Sequence, residues 1–210
     1  MDAVKAALQR LTASTYTYAV TGDYFGGEKY RASGSSDPKA HADSRTYVIS
    51  GGPHAETRKV IVIGGDGYEN RDGQARWVHS DLTRLRPSSA YRVADPRDPG
   101  GLAGFTAALH SARRLDPHRL EGEAKLEVKT DELTYLPVGA PILRFSQGGL
   151  WVSYTLTTDA KGVVTSIRTV FETAQSGDAG TTTTFSSHGR PVKITKPARA
   201  TELRRSLYAK

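Results

Sequence analysis

Catalysis needs polar side chains at workable spacings, and the candidates in this 210-residue chain are scattered. The six histidines (His41, His54, His79, His110, His118 and His188) include no i, i+4 pair. None stands beside a carboxylate at a metal-ligand spacing, so no metal site is expected. Val60-Ile61-Val62-Ile63-Gly64-Gly65-Asp66-Gly67 begins like a strand feeding a dinucleotide loop. The third glycine's place is held by Asn70 and another strand follows, so phosphates would lack the helix N-terminus that binds them. Asp66, Asn70 and Asp72 lack the alternation of a calcium loop, and no Glu closes it. Ser186-Ser187-His188 sets hydroxyls beside an imidazole along the chain, which is not triad geometry. A nucleophile elbow, G-x-S-x-G, is absent. With no Cys there is no thiol nucleophile, thiolate site or disulfide. The chain is therefore expected not to be an enzyme and to need no cofactor. A hydrolase built on two carboxyls brought together only by folding, about 5 to 9 Å apart, is the remaining catalytic reading.

What the sequence offers instead is greasy faces. Val4, Ala7, Leu8 and Leu11 fall at i, i+3, i+4 and i+7, one apolar side of a short helix that Thr12-Ala13-Ser14 ends. Residues 15–21 then alternate, with Tyr16, Tyr18 and Val20 on one side and threonines on the other, as a half-buried strand does. Strands are expected at 29–35, 44–50 and 58–63, with turns at Gly64-Gly65-Asp66-Gly67 and Asp72-Gly73 around Tyr68 and Trp77. Pro87, Pro96, Pro99, Gly100 and Gly101 make residues 86–101 a loop. Asp98-Pro99 suits the start of a second helix striped by Leu102, Phe105, Leu109 and Ala112, with Arg113 and Arg114 at its negative end. Strands return at 119–129, 150–157, 163–171, 181–187 and 192–195, with hairpin turns at 158–162 and 176–180. Residues 133–143 are apolar, but Pro137, Gly139 and Pro141 block a ladder, so they are expected to pack as a loop.

The order is helix, about five strands, helix, about five strands, with short connections. The fold class expected is α+β: one open antiparallel sheet with helices over one face. No linker or repeat divides the chain, so residues 1–210 are expected to form one domain with a basic tail from about 197. Hydrophobic residues are 37% and charged residues 24%, enough for one core, and no run of about 18 apolar residues could cross a bilayer as a helix. Of the net charge of +7, +6 lies in residues 188–210, where seven Lys and Arg face Glu202 alone. Such a tail suits an anionic surface such as phospholipid head groups. Nucleic acid is not expected, because Tyr208 is the tail's one aromatic residue. The first residues, Met1-Asp2-Ala3, do not open a signal peptide. Either the protein is cytoplasmic or an export signal precedes Met1 in a longer precursor.

Three stretches together resemble a known family. Val60 to Tyr68 through Arg76-Trp77-Val78-His79-Ser80-Asp81-Leu82 is similar to its hairpin of a Tyr strand and a Trp strand. Tyr154 to Val164, with Asp159-Ala160-Lys161-Gly162 at the turn, resembles its second-half hairpin. Thr184 to Pro197 resembles its closing strand pair. The family is the LppX/LprG-like cell-envelope lipoproteins of actinobacteria, which share a half-barrel fold with the lipoprotein carrier LolA and the sensor RseB. The resemblance implies a strongly curved sheet with helices covering its concave face and a lipid or glycolipid in the cavity between them. It also implies export and anchoring through a lipidated Cys, a residue this chain lacks. The family supplies no catalytic residues. On this reading Tyr16, Tyr18, Val20, Val152, Tyr154 and Leu156 line the cavity from the sheet. Choosing that face of the later strand turns Trp151 outward. Leu102, Phe105 and Leu109 close the cavity from the second helix, and Leu136 and Ile142 guard its mouth. The expected function is an extracytoplasmic, membrane-anchored lipoprotein that binds or carries an apolar small molecule or lipid. The alternative is a non-enzymatic sensor or protein-interaction module on the same scaffold.

Overall fold

The computed structural model describes all residues except 87, 88, 90, 129–147, 174–176, 209 and 210. Helix α1 (Asp2–Thr12) buries Val4, Ala7, Leu8 and Leu11, the stripe that its spacing predicts, and ends at Ala13. Six strands follow as an antiparallel meander: β1 (Tyr16–Asp23), β2 (Lys29–Asp37), β3 (Ala42–Ser50), β4 (Glu56–Ile63), β5 (Asp66–Arg71) and β6 (Trp77–Asp81). After a loop, α2 (Leu102–Ala108) leads into a second meander of β7 (Arg113–Asp116), β8 (Arg119–Val128), β9 (Gly148–Thr158), β10 (Val164–Thr173) and β11 (Gly177–Ser186). β11 pairs antiparallel with β1, joining the two meanders at the middle of the sheet. The last strand, β12 (Ala200–Glu202), pairs parallel to β6 at the far edge. All twelve strands form one sheet, in the order β12-β6-β5-β4-β3-β2-β1-β11-β10-β9-β8-β7.

Among the described residues the architecture is therefore mostly β, one largely antiparallel twelve-stranded sheet with two α-helices. The sheet is not strongly curled, so the strongly bent half-barrel expected above is corrected on that point. Both helices lie on the face that carries Tyr16, Tyr18 and Val20, where Leu8, Leu11, Leu102 and Phe105 pack with those residues, Tyr30, Tyr154, Leu156 and Ile167 in one core. A second cluster brings Val60 and Val62 of β4 together with Leu82, Leu85, Val93, Ala94 and Leu203. Burial of this kind contributes about 1.5–3 kcal/mol for each large apolar side chain, before chain entropy is subtracted.

Three local expectations change. The second helix stops at Ala108: Leu109 turns extended (φ −59°, ψ 121°) and bridges to Ala124. Arg113 and Arg114 accordingly belong to β7, where Arg113 pairs with Glu121 across the hairpin. Gly101 at φ +71° occupies the N-cap place, while the Asp98 carboxylate accepts the Gly104 N–H at 2.8 Å from outside it. Residues 192–195 join no strand, and the closing strand is β12 instead. The tail is not free either, because Leu203 is buried and the Tyr208 hydroxyl accepts the Asp81 N–H at 3.1 Å.

Candidate functional site

Between α1, α2 and the β2–β3 end of the sheet lies a cleft of about 540 Å³. Its floor is Leu8 from α1, Tyr16 from β1, Ala42 from β3 and Leu102 from α2, all buried, with Pro38 and Pro99 beside them. Ser36, Gln9, Thr12 and Thr106 also line it. Thr12 donates back to the Leu8 and Gln9 carbonyls of its own helix, and Thr106 to the Leu102 carbonyl at 2.7 Å. Those hydroxyls are thus satisfied without any ligand. The rim carries Lys5, Lys39 and Arg97, all exposed. A second hollow of about 280 Å³ lies at another part of α1, lined by Ala3, Ala7, Arg10, Leu120 and Asp159 among others.

The cleft exists because a buried polar frame fixes the loop that forms one wall. The registers set Tyr18 opposite Gly34, Gly34 opposite Arg45, and Asp43 on the same face two residues along β3. Gly34 has no side chain, so the Tyr18 ring lies over it; a Cβ there would come within 2.6 Å of the phenol. The Tyr18 hydroxyl, shared between the two Asp43 oxygens at 3.1 and 3.2 Å, donates to that carboxylate. Arg45 Nη1 donates to Asp43 at 2.8 Å and to the Pro99 carbonyl at 3.1 Å, and Nη2 donates to the Val93 carbonyl at 2.7 Å. One guanidinium therefore ties the sheet to both ends of the 93–99 loop. Burial pushes the Asp43 carboxyl upward, while Arg45 and Tyr18 pull it back. The same burial and the Asp43 charge hold the Tyr18 hydroxyl far above the usual phenol range, so it stays a donor. Removing one member of such a pair leaves a buried charge uncompensated, which costs about 3–5 kcal/mol.

Of the residues expected to line a cavity, Tyr16 and Leu102 do line this cleft. Tyr18, Val20, Phe105, Tyr154 and Leu156 are buried in the core beside it, and Val152 is buried with Leu126, Phe171 and Ala179. Leu109 is only partly buried and packs at the core's margin. In β9, Val152, Tyr154 and Leu156 are buried, and Trp151 is 47% exposed. Leu136 and Ile142 lie outside the described residues. The sequence reading missed Lys5, Lys39, Arg97 and the Asp43–Arg45 pair. One signal was available, since Asp43 and Arg45 are charged residues two apart on a strand next to the Tyr-bearing ones. The three rim cations gave none, being far apart in sequence.

The sequence matches no protein-family model and no curated protein. Among solved structures it is similar to the lipoprotein LppX of Mycobacterium tuberculosis, at 10% identity and a TM-score of 0.35, over 92% of this chain and 97% of that one. An uncharacterized conserved protein from Thermus thermophilus gives 14% identity and a TM-score of 0.40 over 97% of this chain and 98% of that one. A LolA superfamily protein from Nitrosomonas europaea gives 12% identity and a TM-score of 0.31 over 98% and 97% of the respective chains. These likenesses concern the fold alone.

Proposed function

We propose that this protein is a non-catalytic binding protein that holds one apolar or amphiphilic small molecule in the cleft between α1, α2 and the sheet. The observation that carries the reading is the cleft itself: about 540 Å³ over a buried apolar floor. That volume falls within the roughly 300–1,000 Å³ typical of small-molecule sites. Most of the inward-facing side chains of β1, β9 and α2 are spent on core packing, so the size suits a single acyl chain better than a multi-chain glycolipid. Burying such a chain is favourable by about 0.8 kcal/mol per CH2. The extracytoplasmic, membrane-anchored location implied by the sequence resemblance belongs to the same reading. So does contact with an anionic membrane, which is supported by the exposed Arg190, Lys193, Lys196 and Arg199.

Native mass spectrometry of protein purified from its source, with displacement of a fluorescent fatty acid, tests the binding reading. A bound species of lipid mass and displacement at micromolar concentration are expected; an empty protein that displaces nothing would overturn it. For the membrane contact, binding to vesicles containing phosphatidylglycerol should fall steeply between 50 and 300 mM salt. It should also fall when Lys193, Lys196 and Arg199 are changed to Glu, and salt-insensitive binding would remove the idea.

A further inference from the structure

The rim of the cleft is more specific than its floor. Lys5 comes from α1, Lys39 from the β2–β3 turn and Arg97 from the loop held by Arg45. Among the described residues none of the three side chains meets a carboxylate. Among the described lining residues the one acid, Asp98, spends an oxygen on the Gly104 N–H. The lining therefore carries three positive charges against one negative. They are gathered from sequence positions 5, 39 and 97 around an opening whose inner walls are of low polarity. Like charges at a low-dielectric opening repel one another and focus their field outward, so an anion entering there relieves the repulsion and gains from all three. Arg97 adds the forked donor geometry that carboxylate and phosphate oxygens match.

The floor makes the opposite demand. The Thr12 and Thr106 hydroxyls are turned onto their own helices, and Ser36 donates weakly to the Ala42 carbonyl at 3.4 Å. Among the described residues no lining side chain has a buried polar atom without a partner. A second polar end buried against Leu8 and Leu102 would give up water for a floor whose threonine and serine hydroxyls are already engaged, which disfavours it. A purely apolar ligand would leave the cations unanswered.

From these two observations we infer that the cleft takes an amphiphile with an anionic head and an apolar tail. The head lies among Lys5, Lys39 and Arg97, and the tail lies over Leu8, Tyr16 and Leu102. This rests on the reading of the cleft as a ligand site and adds its head-group class. A long-chain carboxylate and an anionic lysophospholipid share that chemistry.

The test is displacement of a neutral naphthylamine dye from the whole protein by four amphiphiles: palmitate, lysophosphatidylglycerol, hexadecanol and hexadecyltrimethylammonium. It is run at 20 and at 300 mM salt. Each ion pair at an exposed rim contributes modestly, so with three cations at least one anion should bind about tenfold tighter than the alcohol at low salt. The cationic amphiphile should bind weakest, and the gap should narrow at high salt. Changing Lys5, Lys39 and Arg97 together to Gln should bring the anions down to the level of hexadecanol and leave hexadecanol itself unchanged. Thermal unfolding of that variant would show whether the fold survives, as exposed positions predict. Preference for palmitate assigns a free carboxylate, and preference for lysophosphatidylglycerol a phosphodiester head. Equal displacement by alcohol and anions overturns the head-group inference while leaving the cleft in place. If no amphiphile displaces the dye, the cleft reading falls and takes this one with it.

Discussion

The two flanks of the helix-covered face are built from different materials. On the β1–β3 flank the inward residues include Tyr16, Tyr18, Ser36, Asp43 and Arg45, held by hydrogen bonds and an ion pair. On the β8–β10 flank they are mostly apolar, Leu120, Ala124, Leu126, Val152, Leu156, Ile167 and Phe171 among them, with Tyr154 donating to the Ser111 carbonyl at 2.8 Å and the Thr169 hydroxyl bonding that of Thr181 at 2.9 Å. Apolar side chains attract without direction and settle into whatever packing removes most surface from water. Directional bonds instead fix a wall at a set place, even where that leaves space. The 540 Å³ cleft lies on the flank with the polar frame, where Arg45 holds the 93–99 loop by its Val93 and Pro99 carbonyls, and the hollow beside Leu120 on the other flank is about half that size.

That contrast can be broken most severely at Arg45. Arg45→Ala should cost about 3–5 kcal/mol in urea unfolding, because Asp43 is left buried and unpaired, and should abolish dye binding in the cleft. Replacing both residues, Asp43→Asn with Arg45→Met, should restore much of the stability but not the binding. Recovery of both would show that the frame does not shape the cleft. On the other flank, Leu156→Ala should cost about 2–5 kcal/mol, yet leave the affinity of the folded protein for the dye within a factor of two. A larger loss of affinity would mean that Leu156 touches ligand. Smaller still, Gly34→Ala should cost about 1–3 kcal/mol by overpacking, since its new methyl would meet the Tyr18 ring and the Ser44 carbonyl.

At the β6 edge the expected effect is one of pH. When protonated, His79 donates from Nε2 to Asp66 at 3.0 Å and from Nδ1 to Glu202 at 2.7 Å, and the ring, tilted against Tyr68, then joins β5 and β12. Burial lowers its pKa, but the two carboxylates outweigh that and raise it above the usual value. A raised histidine stabilises fully below about pH 6.5 and loses that contribution as pH rises through its folded value. Hydrogen exchange of residues 200–203, corrected for the intrinsic pH effect, should therefore show the segment opening more often above that value. Glu202→Gln should bring the His79 titration midpoint down, and an unchanged midpoint would deny the link. The smallest change expected is Trp151→Ala. The ring is half exposed over Lys125 and should cost under about 1 kcal/mol, in contrast to its inward neighbours Val152 and Tyr154.

Much of the architecture was legible because its signals are local. The α1 stripe, the alternation of β1, and the Asp159 turn, whose carboxylate accepts the Lys161 and Val163 N–H groups at 2.9 Å, each follow from neighbours in sequence. The errors came where competition was tertiary. Leu109 and Ala112 continue a helical spacing, but Leu109 leaves α2 to bridge Ala124. Residues 192–195 alternate like a strand and find no edge to pair with, whereas the polar Ala200–Glu202 does.

The chain alone determined which faces are greasy and where many of its turns fall, because periodicity and turn chemistry act between residues a few places apart. Only the folded sheet decided which greasy residues became solid core and which bordered open space. It also decided that Lys5, Lys39 and Arg97 share one rim. The physical reason is that a cavity and a convergence of charge are properties of surfaces brought together from distant parts of the chain, and no local spacing encodes them.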